Sequence, residues 1–144
     1  MATFTFIDDF KYYGLTGIVD LTGDTFIMYL SNDAPVVATD TGDADVTPIG
    51  TGNGYSPTTL TCTWAETSGG SGVYRFANDA DVSWTASGGS FGAFQYVVIY
   101  DDTTTTPADL LLGYWDVGTA TTITAGNTFT VDLDANLEIF TLDG

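Results

Sequence analysis

The run from residue 94 to residue 134 constrains the fold more than any other part of the chain. Residues 94–100 are mostly aromatic or β-branched, residues 110–117 form a second apolar run, and residues 128–133 alternate apolar and polar side chains. Each pattern is typical of a β-strand. Residues 124–127, Thr-Ala-Gly-Asn, favour a tight turn, because glycine and asparagine tolerate positive φ. We therefore predict three consecutive strands in one antiparallel sheet with one buried face.

Similar patterns elsewhere bring the predicted total to about eight strands. The additional strands are predicted at residues 25–30, 58–65, 73–76, 80–86 and 137–142. Threonine, a good strand former, is frequent, whereas Glu, Lys, Arg and Gln are scarce. A chain of 144 residues suits one domain, residues 1–144. We expect a mainly β fold, a single antiparallel β-sandwich or jelly-roll-like domain, with a barrel as the other architecture that short, evenly spaced strands allow.

The N-terminal region, residues 1–20, is predicted to be an arm with a short helix near residues 7–20. Ile7, Phe10 and Leu15 approximate a helical apolar stripe, and two aspartates stand where a helix start favours negative charge. This segment is unusually rich in apolar residues for a chain terminus. It is therefore the candidate docking segment.

The polar stretch of residues 31–57 is long for a connection within a compact domain. It contains three prolines and the run Gly-Thr-Gly-Asn-Gly at residues 50–54. Loops of this length without structure of their own are uncommon. We expect part of it to pair at a sheet edge or to contact a neighbouring protein.

The charge balance excludes several classes of partner. Nineteen acidic residues oppose two basic ones, Lys11 and Arg75, which gives a net charge of −17. Affinity for nucleic acid and for anionic membranes comes from Lys and Arg, so neither is an expected partner. Such a surface suits solubility at high copy number, or a partner with a basic surface. We expect Arg75 to pair with an acidic neighbour inside the sheet.

The chain offers little for catalysis. It has no histidine, so Cys62 has no imidazole to activate it and is predicted to be a structural thiol packed by the alternation of residues 59–64. Asp101 and Asp102 are neighbours on a strand and should point to opposite faces. We predict no catalytic residue and no cofactor.

One acidic loop resembles a cation site in composition. Residues 40–45, Asp-Thr-Gly-Asp-Ala-Asp, carry hard oxygen ligands of the kind that Ca²⁺ prefers. They lack the ligand spacing and terminal glutamate of an EF-hand loop. We therefore predict a solvated acidic loop and no metal.

The aromatic residues allow two interpretations, a hydrophobic core or a carbohydrate platform. Large aromatics carry much of the apolar burial in small β domains, so the core is favoured. The predicted core residues are Leu60, Trp64, Trp84, Phe94, Tyr96, Val98, Tyr100, Leu112, Tyr114, Phe129 and Val131. In the alternative, Trp64, Trp84 and Trp115 with nearby tyrosines would bind sugars.

The N-terminal sequence has no basic segment followed by a continuous apolar stretch, and no run approaches the ~20 apolar residues of a membrane span. We therefore expect synthesis in a cytoplasm.

Four segments carry a resemblance to a known group of proteins. They are LTGDTFIMYLSNDAP (residues 21–35), GTGNGYSPTTLT (residues 50–61), ADVSWTASGGSFGAFQYVVIYDD (residues 80–102) and LLGYWDVGTATTITAGNTFTVDLD (residues 111–134). In this order and spacing the chain resembles the small β-rich structural, decoration- or cement-like proteins of tailed bacteriophage virions. The resemblance implies a virion component with a β-sandwich fold and no enzymatic activity.

These observations predict a capsid decoration (cement) protein that binds the outside of the phage head. The expected location is the virion surface, and the expected partner is the major capsid protein. A homo-oligomer, a trimer or dimer, is also expected. The candidate interface residues are Phe4, Phe6, Ile7 and Phe10. The alternatives are a tail or tail-fibre component of the virion and, from another class, a carbohydrate-binding module.

Overall fold

The structure, a computed structural model, describes residues 2–143. It is mainly β, as predicted, and all its sheets are antiparallel. In chain order the elements are β1 (Thr5–Phe6), α1 (Asp8–Leu15), β2 (Phe26–Ser31), a 3-10 turn (Asp43–Asp45), β3 (Thr58–Thr59), β4 (Cys62–Glu66), β5 (Tyr74–Asn78), β6 (Val82–Thr85), β7 (Phe91–Thr105), β8 (Ala108–Ile123), β9 (Thr128–Val131) and β10 (Glu138–Leu142).

The strands form three sheets. Five strands pair in the order β1-β8-β7-β2-β3, three in the order β10-β5-β4, and two as β6-β9. The long hairpin of β7 and β8 forms the centre of the largest sheet, and its last pair before the turn joins Thr105 to Ala108. The predicted strand of residues 58–65 is divided between two sheets, because β3 pairs with β2 whereas β4 pairs with β5.

The third strand of the central prediction was placed in the wrong sheet. The turn at residues 124–127 is present, closed by a 3.0 Å bond from the Asn127 N–H to the Thr124 carbonyl. The strand that follows, β9, pairs with β6 and not with β8. Two bonds of 2.8 Å between this turn and Ala86 tie it to the end of β6, and Trp84 stacks against Phe129 across the pair. Cross-strand aromatic packing therefore outweighs the short connection.

The main core lies where the three sheets meet. Phe26 of β2 packs on Phe76 of β5 with ring centroids 5.0 Å apart, and Phe94 of β7 packs on Phe129 of β9 at 4.7 Å. The opposite face of the five-stranded sheet is also covered. Its buried cluster contains Ile7, Tyr29, Val46, Val98 and Leu111. The prediction of a single buried face is therefore wrong for the central strands.

The connection of residues 32–57 forms part of the layer that covers this opposite face of the five-stranded sheet. Val46 is 1% exposed, and the Tyr29 hydroxyl donates to its carbonyl at 3.3 Å. Isolated bridges join Gly42 to Leu110 of β8 and Ser31 to Pro48. The expectation that this stretch pairs with the sheet is confirmed.

The N-terminal helix is present but shorter than predicted. It ends at Leu15, and Gly17 follows with φ +80°, a conformation that continues no helix. Phe10 is buried, whereas Leu15 is 91% exposed, so the predicted apolar stripe stops after one turn. Within residues 2–143 no helix is long and apolar enough to cross a membrane.

Most of the predicted core is buried. Leu60, Trp84, Phe94, Val98, Leu112 and Val131 are all buried. Trp64, Tyr96, Tyr100, Tyr114 and Phe129 are half-buried and pack against the two clusters from their margins.

Candidate docking surface

Three of the four candidate interface residues meet around one ring. The centroid of Phe140, on β10, lies 5.9 Å from Phe4, 4.9 Å from Phe6 and 6.0 Å from Phe10. Phe6 also stacks on Phe10 at 5.7 Å. Phe10 is buried, and Phe4 and Phe6 are half-buried. Residues 2–7, which we call the aromatic arm, therefore contribute to the core and to the surface at once.

Ile7, the fourth candidate, lies apart from this aromatic group. It is 1% exposed and belongs to the second cluster, beside Tyr29 and Val46. Its N–H donates to the Leu112 carbonyl at 3.1 Å, which continues the pairing of β1 with β8. The two faces of the arm thus pack on opposite sides of the sheet, as alternation along a strand dictates.

A glycine allows the arm to lie close to β8. Gly113 pairs with Phe6, and a Cβ at this position would overlap the Thr5 carbonyl oxygen and stand 2.7 Å from the Phe4 ring. Any side chain at Gly113 would push the arm away. The residue is needed for close approach rather than for a special φ.

The first of two cavities beside the arm is acidic. This acidic cleft, of about 660 Å³, lies between the arm and β10. Trp115 and Phe140 line it together with Asp132, Asp134 and Glu138, and none of its lining residues among those described is a lysine or arginine. Aromatic surface and unbalanced negative charge therefore meet in one place.

The carboxylates of the cleft differ in their partners. The Asp134 side chain accepts hydrogen bonds from the backbone N–H groups of Asn136, at 2.9 Å, and Glu138, at 3.0 Å. The Glu138 backbone bond, followed by that of Asn136, lowers the pKa of Asp134, which keeps it ionised. Glu138 pairs with Arg75 at 3.5 Å, as expected for that arginine. Asp132 and Asp134 are both exposed, but Asp134 is engaged by two backbone N–H groups, so Asp132 is the carboxylate best placed to meet a partner.

The second cavity, the apolar groove, lies on the other side of Phe6 and Phe140. It has a volume of about 420 Å³ between α1, β4 and β10, and Trp64, Leu15 and Leu142 are among its lining residues. Leu15 is 91% and Leu142 50% exposed. The charged residue lining it is Lys11, which is paired with Asp8 at 2.8 Å.

The sequence indicated the arm but missed what surrounds it. Neither Phe140 nor the pair Asp132 and Asp134 is singled out from the sequence, and Trp115 is considered for sugar binding alone. The alternation of Asp132, Leu133 and Asp134 puts both carboxylates on one side, which was the available signal. Their position beside the arm depends on pairings that no local pattern encodes.

The remaining candidates for chemistry do not converge on a site. Burial, followed by the charge of Asp79, raises the pKa of the Cys62 thiol to about 12, so it is protonated at neutral pH. In the loop of residues 40–45, Asp45 accepts the N–H groups of Thr41 and Gly42, and Asp40 accepts that of Val36. Across residues 2–143 no three His, Cys, Asp or Glu side chains are grouped so that they could hold a metal ion.

Asp101 is the one strongly perturbed carboxyl group in the sheet. It is fully buried, whereas Asp102 is exposed, so the two point to opposite faces as predicted. Its Oδ1 accepts the Thr103 N–H at 2.9 Å, and its Oδ2 has no donor among the described residues. Burial, reinforced by the neighbouring Asp24 carboxylate, raises the pKa of Asp101 to about 7.

The tryptophans do not form an open platform. Trp84 is 4% and Trp115 3% exposed, and the Trp84 indole N–H donates to the Ser56 carbonyl at 2.8 Å. Trp64 is half-buried and is covered by Tyr74, with ring centroids 5.6 Å apart.

The chain was compared with protein-family models, with curated proteins and with solved structures, and none of the three comparisons returned a match.

Proposed function

We propose that this protein is a capsid decoration (cement) protein that binds the outside of the head of a tailed bacteriophage. The observation that carries the proposal is the aromatic arm, bordered by an acidic cleft and an apolar groove, on a molecule with a net charge of −17. The resemblance of residues 21–35, 50–61, 80–102 and 111–134 to phage structural proteins supports the same assignment.

The charge distribution suits a protein that coats a shell in many copies. Like-charged copies repel one another in solution, so they stay dispersed until they meet the shell. The proposed partner, the major capsid protein, would present basic residues to the acidic cleft. We place the protein at the virion surface after synthesis in the host cytoplasm.

The proposed role is structural and not enzymatic. The chain has no histidine, and the raised pKa of Cys62 leaves its thiol without nucleophilic character. Asp101 is buried, and the group that reinforces the rise of its pKa is a second carboxylate, Asp24. A β-sandwich of jelly-roll type is the proposed arrangement of the three sheets, because both small sheets pack against the large one.

We further propose that the protein assembles as a trimer or dimer through the apolar groove. Two molecules of charge −17 can approach most easily where charge is locally balanced, and the Lys11–Asp8 pair balances it there. Leu15 and Leu142 supply apolar surface that a second copy would cover. The acidic cleft remains free for the shell.

A tail or tail-fibre component is the second candidate, since the resemblance to virion proteins supports both locations equally. A carbohydrate-binding module is less well supported, because Trp84 and Trp115 are buried and Trp64 is covered by Tyr74.

The test uses heads and complete virions of the phage that encodes the protein. Purified protein is added to heads prepared without it, followed by cosedimentation and a density map of the particles. We expect density on the outer surface of the head, at symmetry axes, and binding that weakens as salt rises. Density confined to the tail would favour the second candidate. Absence of density from both the head and the tail would reject a virion role.

The residues for mutation follow from the packing. Deleting the aromatic arm would remove Phe6 and Ile7 from the core, so loss of binding by that variant would be ambiguous. Leu15→Ser changes a side chain that is 91% exposed and should leave the fold intact while weakening the oligomer. Sedimentation velocity separates this effect from unfolding, and Val36→Ser, at an exposed apolar residue outside the groove, is the matched control.

A further inference from the structure

We propose that the acidic cleft receives an extended peptide segment of a partner protein, with alternating apolar and basic residues, as an added strand on β10. This inference rests on the proposed docking function and specifies the form of the partner. It concerns the acidic cleft alone and is independent of the apolar groove.

The cleft lies between two sheet edges. β1 is the end strand of the five-stranded sheet, and β10 is the end strand of the three-stranded sheet. Within the part of the chain that the structure describes, β10 pairs only with β5, so its outer backbone edge has no strand partner, and on that edge the Glu138 N–H is already bound by the Asp134 side chain. Unpaired N–H and C=O groups on an edge are the usual template for strand addition.

The lining of the cleft shows that this edge faces it. Four consecutive residues of β10, residues 138–141, line the cavity, and on the opposite side so do residues 2–4 of the arm. Successive side chains of a strand point to opposite faces, so a cavity lined by consecutive residues runs along the backbone edge. A volume of about 660 Å³ is within the range of cavities that bind ligands.

The side chains around this edge define the sequence that fits. Phe4, which is half-buried, offers an apolar contact to an inserted strand. Asp132 and the ionised Asp134 offer carboxylates to other residues of that strand, and Arg75 already balances Glu138. Basic residues, not acidic ones, are therefore selected at those positions. A second copy of this chain does not fit the cleft, because its two basic residues, Lys11 and Arg75, are far apart in sequence and no segment alternates apolar and basic residues.

The test uses synthetic peptides, so it does not depend on a capsid. The probe is an acetylated and amidated seven-residue peptide of alternating valine and lysine. It is titrated into isotopically labelled full-length protein, and backbone amide shifts are followed by NMR. Two matched probes replace lysine by glutamine or carry N-methyl groups on all internal amides, which removes main-chain donors.

We expect the largest shifts at the amides of β10 and of the arm, and slower hydrogen exchange at β10. Asp132→Asn should weaken binding about 3- to 10-fold, and Asp102→Asn, which changes the net charge equally, should not. N-methylation should weaken binding about 10-fold or more, because the main-chain bonds are lost.

Equal weakening by the two aspartate variants would mean unspecific attraction to an acidic protein and would overturn the inference. Undiminished binding of the N-methylated peptide, or shifts that map elsewhere, would overturn it too. If no peptide binds but the protein still decorates heads, this inference fails while the proposed function stands. Peptide binding at β10 without decoration would uphold the inference and remove the proposed function.

Discussion

Replacing Asp101 with asparagine should stabilise the protein at pH 8 and by less than about half as much at pH 5. Asp101 is fully buried, its Oδ2 has no donor among the described residues, and the Asp24 carboxylate lies beside it. Burial above all raises its pKa from 3.8 to about 7. The side-chain oxygen of asparagine can still accept the Thr103 N–H. Its amide NH₂ group can donate a hydrogen bond to the Asp24 carboxylate.

The direction in which the stability effect of Asp101→Asn changes with pH follows from proton linkage. Because the folded pKa is above the unfolded one, the folded state holds this proton more tightly, and the stabilisation is complete below about pH 4. It is lost as pH rises through about 7. Each pKa unit corresponds to about 1.4 kcal/mol, which sets a ceiling of about 4 kcal/mol at pH 8. Local relaxation reduces this, so we expect a gain of about 1–2 kcal/mol, or about 3–6 °C in Tm.

The assay is calorimetric unfolding of the wild type, Asp101→Asn and Asp102→Asn between pH 5 and pH 8. Asp102 is the exposed neighbour on the same strand, and its substitution makes the same change in net charge. The reasoning is refuted if Asp101→Asn gains no more than Asp102→Asn at pH 8. A gain of equal size at both pH values would also refute it, because it would not arise from ionisation.

Three further outcomes are expected. Gly113→Ala should cost about 1–3 kcal/mol and speed hydrogen exchange in residues 3–7, because the new Cβ displaces the arm; unchanged protection there would contradict this. Trp84→Ala should lower the free energy of unfolding in urea by about 3–5 kcal/mol, and a loss under about 1 kcal/mol would be inconsistent with its place in the core. Cys62 should react with iodoacetamide at pH 8 far more slowly than a free cysteine until urea unfolds the chain, and rapid labelling of the folded protein would show that its pKa is not raised.

Local patterns were sufficient for strands whose partners are near in sequence. The apolar runs around Val98 and Leu112 predicted the β7–β8 hairpin, although both strands extend well beyond the runs. The threonine-rich ends hid part of the extension, because exposed residues such as Thr103, Thr105 and Thr122 form no apolar run. The Asn-containing turn at residues 124–127 was also found, since its chemistry is local.

Local sequence patterns did not predict the strand pairings that depend on a partner distant in sequence. Nothing within residues 128–133 indicates that Phe129 packs on Trp84 rather than beside β8, and β1 is too short to show alternation. The candidate site shares this limit. Its aromatic residues were evident near the N-terminus, but Phe140, which joins three of them, comes from the opposite end of the described chain.

The pairing of β1 with β8 has a consequence for how the chain is made. Thr5 pairs with Tyr114, so the arm leaves the ribosome roughly a hundred residues before its partner strand does. At 5–20 residues per second this delay is about 5–20 s. Throughout that time Phe4 lacks its native neighbour Trp115, and both Phe4 and Phe6 lack Phe140. Contacts so distant in sequence also form late in folding. The nascent chain is therefore vulnerable to aggregation and chaperone capture through its arm for longer than its small size suggests.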